Sequence, residues 1–362
     1  MVGISIHSPT GSRCRSSPAL IEDLFDEILL RLPPDEPAIF VRFALVCKSW
    51  SHRLKDPSFL RRYRAFHGKP PMAGFFFNLR GPGPEVAQFV QASSFRPSIP
   101  HGDCRYALDA HHGRVLFRTM LSGEVERTGL AVWDSRTGDQ WVLRLPDLQS
   151  ANWNAAVMCS SRCCNHVDCN NFPFQVVFVG TEWDGVTYAS VYSSETGAWE
   201  RQSSLVRPDA TIHLKPAVLV NTALCFPCDR NNRIIEFDTL NKKLTVIETP
   251  VDEQMDSLLV TVKDCCLGLA VLKSFRIHLW SREATDAKGW IQNNFIDLKA
   301  LLPSRAFSMT PRLIGFADGI CLVILWTADG VYTIDLWSGQ TKKIYRNKII
   351  DQAIPLMIFY AP

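Results

Sequence analysis

The sequence predicts an N-terminal all-α segment of three short helices followed by an all-β, propeller-like body of six blades. Three observations predict it. Apolar residues between Leu20 and about Tyr63 recur at helical spacing, short apolar strands bounded by Gly, Asn, Asp and Pro take over after Gly68–Pro71, and one hairpin unit recurs through the rest of the chain. A length of 362 residues with 46% hydrophobic and 21% charged residues fits a folded protein of two units. The expected organisation is a disordered tail over 1–17, a helical domain over 18–67 and a β body over 72–362.

The helical text is LIEDLFDEILLRLPPDEPAIFVRFALVCKSWSHRLKDPSFLRRYRAF, from Leu20. Leu24, Phe25, Ile28, Leu29 and Leu32 share a helical stripe, acidic residues crowd its first turns, and Pro33 and Pro34 stop it. Asp35 or Glu36 can cap a second helix with Pro37 in its first turn, and Ile39, Phe43, Val46, Cys47 and Trp50 fall near one face of its helix-turn-helix continuation. Asp56-Pro57 starts a third, anchored by Phe59, Leu60 and Tyr63. A segment of this size carries more large apolar residues than it can enclose, because small domains bury too little surface. The surplus must cover the β body or another protein.

LIEDLFDEILLRLP, FALVCKSW and DPSFL, in this order and spacing, resemble the F-box of plant F-box proteins, with Leu20-Ile21 where the family usually has Leu-Pro. The resemblance covers Leu20 to about Tyr63. It implies docking onto a Skp-type adaptor, and through it onto a cullin-RING ubiquitin ligase, by Leu20, Leu24, Ile28, Leu29, Leu32, Pro33, Val46, Cys47 and Trp50.

In the body, AVWDSRTGDQWVL, SVYSSETGAWERQ, IEFDTLNKKLTVI and YTIDLWSGQTKKI repeat one hairpin, and IHLWSREATDAKGWIQNNFIDL fits with a longer loop. Asp134, Ser193, Asp238 or Asp335 opens the turn, where a short polar side chain can bond the turn backbone, and Gly138, Gly197, Lys242 or Gly339 closes it. Two strands precede each hairpin, which makes a four-stranded blade at the period of propeller repeats. Five units are legible, and the leftover strands AGFFFNL and IPLMIFY can pair into a sixth, composite blade that removes the sheet edges. The body resembles the kelch-like, F-box-associated propeller that follows the F-box in many plant proteins.

Composition narrows the function classes. The 39 basic and 36 acidic residues leave a net charge of +3, which gives no electrostatic footprint for nucleic acid or an acidic membrane. The first residues, MVGISIHSPTGSRCRSSP, hold no signal-length apolar core and runs such as GICLVILW are too short to span a bilayer, so the expected location is cytoplasmic and/or nuclear. The 12 cysteines are then expected as reduced thiols without a structural disulfide.

Metal-ligating residue types concentrate in MCSSRCCNHVDCNNF, where Cys159, Cys163, Cys164, His166 and Cys169 crowd one loop. Zinc sites favour separated ligand pairs, so no metal and no cofactor are expected. His111 and His112, before Gly113, read as turn residues. Arg61, Arg62, Arg64 and Lys69 read as the solvated side of the third helix. No nucleophile elbow, phosphate loop or zinc-protease helix is present. The expected function is therefore non-catalytic: a substrate-recognition subunit whose helices hold the adaptor and whose propeller loops hold an unknown target protein. A non-degradative F-box scaffold and a propeller enzyme are the alternatives, and polar groups converging on the central channel would favour the enzyme.

Overall fold

The computed structural model describes residues 22–81, 86–94, 96–97, 99, 104–121, 127–146, 152–160, 173–229, 233–251, 255–262, 266–283, 289–346 and 349–359. Four helices open the described chain: α1 (Glu22–Leu30), α2 (Pro37–Ala44), α3 (Lys48–Lys55) and α4 (Pro57–His67). The second of the expected helical units is thus divided, with the break at Leu45–Cys47. Cys47 has extended backbone there, so Val46 and Cys47 do not continue the face of Ile39 and Phe43. Asp56 caps α4 by accepting from Ser58 N at 2.7 Å, and Pro57 follows it in the first turn.

Past Gly68 the chain enters β1 (Met72–Leu79) and β2 (Ala87–Gln91). Blade one is β3 (Cys104–His111), β4 (Arg114–Leu121), β5 (Arg127–Asp134) and β6 (Gln140–Arg144). Blade two is β7 (Asn152–Cys159), β8 (Phe174–Thr181), β9 (Thr187–Ser193) and β10 (Ala198–Val206). In blade three the first strand is split into β11 (Thr211–Ile212) and β12 (Val218–Val220), which both pair with β13 (Ala223–Asp229), followed by β14 (Arg233–Asp238) and β15 (Lys243–Glu248). Blade four is β16 (Asp256–Val262), β17 (Cys266–Lys273), β18 (Arg276–Arg282) and β19 (Trp290–Asp297), from which the short helix α5 (Leu298–Leu301) leads on. Blade five is β20 (Arg312–Ala317), β21 (Leu322–Thr327), β22 (Gly330–Asp335) and β23 (Thr341–Tyr345).

The last strand, β24 (Ile350–Met357), pairs antiparallel with β1, Phe76 opposite Ile354, and the sheet β2-β1-β24 is the sixth blade. The two ends of the body therefore close one blade, as the leftover strands predict. β24 lies beside both β20 and β3, and a Cβ on Gly315 would collide with the Ala353 carbonyl oxygen, which is why glycine stands at this close approach.

Apolar burial lies between blades rather than within them. Val176 and Phe178 of β8 pack against blade one while Val177 and Val179 pack against blade three, and in β1 Phe75 and Phe77 face blade five while Phe76 faces blade one. A strand buried on both faces reads as a continuous apolar run, which explains VVFV and GFFF.

The hairpin unit also has its expected chemistry. The Asp134 carboxylate accepts from Arg136 N at 3.0 Å, that of Asp238 from Leu240 N at 2.8 Å and that of Asp335 from Trp337 N at 2.8 Å, while Ser193 Oγ accepts from Glu195 N at 3.3 Å. Gly138, Gly197, Lys242 and Gly339 close these turns at positive φ of 79°, 67°, 55° and 68°.

Candidate functional site

The helices form a small core of Phe25, Leu29, Leu30, Phe40, Leu54, Phe59 and Tyr63, completed by Phe359 from the end of the β body. Tyr63 donates its hydroxyl to Leu32 O at 2.7 Å and His67 bonds Leu30 O at 2.9 Å, tying α4 to the end of α1. Trp50 wedges between α1 and α2, its ring 4.4 Å from that of Phe25 and 5.4 Å from that of Phe43. Asp26, buried on α1, accepts from Arg53 Nε at 2.7 Å and from Arg62 Nη1 at 2.8 Å. The Arg53 hydrogen bond, with Arg62 assisting, holds the Asp26 carboxyl below the usual carboxylate range although burial opposes it.

The expected docking residues fall into three groups. Leu24, Ile28 and Val46 are exposed at 54%, 45% and 62%, and Cys47 is exposed with a free thiol. Leu32, Pro33 and Trp50 are half-buried. Leu29 departs from the expectation of an incompletely buried stripe: it is 0% exposed in the helical core, because one position along α1 turns it by about 100° away from Ile28. Leu20 lies outside the described residues. Two apolar residues not expected at the surface join the outer set, Val41 and Leu45, the latter 80% exposed. Val41 on α2 and Leu45 at its C-cap lie one helical turn apart, an outward pair that the inward stripe through Phe40 obscures in the sequence. The basic cluster also divides: Arg61 and Arg62 are exposed, whereas Arg64 is buried.

Residues 19–62 match the F-box domain family. This segment is an F-box domain. No curated protein is similar enough in sequence to count as a relative of the chain. Among solved structures, a candidate 6-phosphogluconolactonase from Bacteroides uniformis is similar at 9% identity over 78% of this chain and 98% of its own, with a TM-score of 0.42. The β-propeller domain of the Trilobed protease from Pyrococcus furiosus is similar at 11% identity over 71% and 99%, TM-score 0.34, and the WD40 domain of SCAP from fission yeast at 13% over 71% and 59%, TM-score 0.39. Likeness at this level carries no functional argument.

The F-box domain joins the propeller on one face. In each antiparallel blade the turns between first and second strands and between third and fourth strands fall on one face, and the remaining connections fall on the other. The F-box domain enters β1 where β24 ends, Met72 opposite Met357, and so belongs to the first face. Ile358 N donates to Pro71 O at 3.0 Å there, and the Ile358 side chain borders Gly113, in the first turn of blade one. The opposite face is left to the other loops.

Polar groups do converge on the first strands around the axis. Asp109 accepts from Val157 N at 2.9 Å, Asn154 donates to Lys215 O at 2.7 Å, Lys215 donates to Ser257 O at 2.8 Å and pairs with Asp256 at 3.4 Å, and Asp256 accepts from Leu313 N at 2.6 Å. Arg312 pairs with Asp351 at 3.6 Å, and Tyr106 donates to Asp351 at 2.9 Å, which returns to blade one. Each contact joins one blade to the next. A first strand is a sheet edge with unpaired backbone groups, and side chains of the neighbouring blade satisfy them. These carboxylates are thus occupied as braces, and among the described residues no group of three or more His, Cys, Asp or Glu could hold a metal.

His111 is held by the same bracing: burial lowers its pKa, but the charge and hydrogen bond of Asp109, 3.1 Å away, and the charge of Asp318 outweigh it and raise the pKa overall. It closes β3, whereas His112 is the turn residue, at φ 53°. Cys159 ends β7, buried, and Cys163, Cys164, His166 and Cys169 lie outside the described residues. Cys225, Cys228 and Cys321 carry free thiols.

Proposed function

We propose that this chain is the substrate-recognition subunit of a Skp-cullin-F-box ubiquitin ligase. The observation that carries the reading is the two-sidedness of the F-box domain: Phe359 completes its inner side, while Leu24 and Ile28 on α1 and Leu45 and Val46 at the α2–α3 junction stand in solvent, with Trp50 and the Asp26–Arg53 pair holding the helices together. Apolar side chains fixed at a surface suit a partner whose helices complete their burial, which is the role of a Skp-type adaptor. The propeller face turned away from the F-box domain then presents its loops to a target protein. The chain performs no covalent step. Its mechanism is proximity, raising the concentration of the target beside a conjugating enzyme recruited by the cullin-RING portion. It acts in the cytoplasm or nucleus, without nucleic acid or membrane as partner, through a propeller of the kelch-like kind that the plant resemblance implies.

Capture of the full chain by a purified Skp-type adaptor tests this. Leu24→Ala with Ile28→Ala is expected to cost about 2 kcal/mol or more of binding, with the melting of the propeller unchanged. Undiminished capture by this double variant overturns the reading. Persistence of captured targets after loss of the protein, compared with their accumulation, separates a scaffold from a degradative receptor.

A further inference from the structure

The face opposite the F-box domain carries a cleft of about 640 Å³ between blades two and three. It is bounded by the turn from β8 to β9 and by the connection from β10 to β11. Four carboxylates line it, Glu182, Asp184, Asp209 and Asp229, against the single guanidinium of Arg207. At its rim stands Trp183, 80% exposed.

The turn that carries Trp183 is tightly fixed. Glu182 N donates to Val186 O at 2.8 Å, Gly185 N to Glu182 O at 3.0 Å with Gly185 at φ 79°, and Val186 N to Asp184 Oδ1 at 3.0 Å. These bonds fix the position of the Trp183 backbone at the rim of the cleft. Arg201 holds Glu182 at 3.2 Å and Arg233 holds Asp209 at 3.4 Å, and neither arginine lines the cleft. Arg207 pairs with Asp184 at 3.7 Å and donates to Asp184 O at 3.0 Å, but the charge pair is more than half exposed on both sides, as Asp209 is in its pair with Arg233, and exposed pairs hold their partners weakly.

We infer that this cleft receives an arginine side chain from an extended segment of the target protein. An indole is the strongest aromatic partner for a cation, a planar guanidinium stacks on it, and the same guanidinium presents a fork of donors to the carboxylates beyond it. The volume suits one long side chain with its flanking backbone, not a folded surface. Lysine offers the charge but neither the plane nor the fork. The inference rests on the receptor reading of this face and adds to it the chemical class of the segment recognised.

The test is fluorescence anisotropy of the full chain with labelled Gly/Ser peptides that differ only in a central arginine, lysine, citrulline or glutamate. The arginine peptide is expected to bind roughly 10-fold or more tighter than the citrulline peptide, with binding that weakens as salt rises. Trp183→Ala is expected to remove most of this preference. Asp209→Asn, which keeps a side chain tolerant of the φ of 51° at that position, is expected to reduce it. Trp337→Ala, an exposed tryptophan on the F-box face, is expected to leave it intact. Equal binding of the arginine and citrulline peptides, a lysine peptide or free spermidine bound as tightly as the arginine peptide, or indifference to Trp183→Ala overturns the inference. Adaptor capture by the same samples keeps the two readings apart. Intact capture with no arginine preference sinks the cleft alone, and an arginine preference without capture sinks the receptor reading alone.

Discussion

The propeller and the F-box domain dispose of their large apolar side chains differently. The propeller encloses its large apolar residues between blades and turns Asp109, Asn154, Lys215, Asp256 and Asp351 toward its axis, where they brace neighbouring strands. The F-box domain sets the buried carboxylate of Asp26 against the partly exposed Arg53 and leaves Leu24, Ile28, Leu45 and Val46 outside. A closed ring has no unfilled side and needs only its edge groups satisfied, whereas four short helices cannot close on themselves. The difference teaches that the apolar surplus of the small domain is divided: one side is covered by Phe359, and the other is kept for a partner.

The largest expected effect breaks the ring. Removing residues from Ile350 onward deprives Phe75, Phe76 and Phe77 of the strand that pairs with them. The expected outcome is loss of the cooperative calorimetric transition of the body, and survival of that transition would mean that five blades suffice.

Next come substitutions within one helix. Leu29→Ala opens the F-box core and is expected to cost about 2–5 kcal/mol of local stability, seen as faster amide exchange in α1 and α4. Leu24→Ala, at an exposed position, is expected to change that exchange by no more than about 0.5 kcal/mol. Equal effects would erase the distinction between core and docking face.

Smaller still is the cost of a brace. Asp256→Ala leaves Leu313 N without its acceptor and Lys215 without its counter-ion, and is expected to lower global stability by about 1–3 kcal/mol in urea titration. Asp256→Asn should recover part of that loss.

The smallest effects are in pH. The lowered pKa of Asp26 contributes stability that is complete above its unfolded value near 3.8 and fades as pH falls through the lower folded value. Amide protection of the F-box helices should therefore fall in acid, and Asp26→Asn should reduce that dependence, leaving the part that comes from the lowered pKa of the Asp56 cap. The raised pKa of His111, set against Asp109 and Asp318, contributes below an unfolded value near 6.5 and fades as pH rises through the higher folded value, while the pKa values of His213 and His278, lowered by burial, act in the reverse sense; His111→Gln is therefore expected to remove a slight loss of stability toward alkaline pH.

Local chemistry was readable directly from the sequence. Asp134 with Gly138, and Asp335 with Gly339, are separated by a fixed number of bonds, so their turns form wherever the chain is placed. The same holds for the Asp56-Pro57 cap and for the helical spacing of α1. The pairing of residues 72–79 with the C-terminal strand was also legible, since an unpaired apolar strand at each end of a repeat array leaves few other partners.

What depended on distance along the chain was not legible. Leu29 and Ile28 look alike in sequence, and only the arrival of Tyr63 and Phe359 makes one of them core. The braces at the axis join residues such as Tyr106 and Asp351 that no spacing rule links, and the cleft beside Trp183 exists only because two blades splay their loops apart there. Sequence alone determined the repeats, the turns and the match to an F-box domain, because each is written within a few tens of residues. Tertiary structure decided which apolar side chains remain in solvent and which carboxylates are already occupied, because burial and pairing belong to surfaces that meet only after the ring has closed.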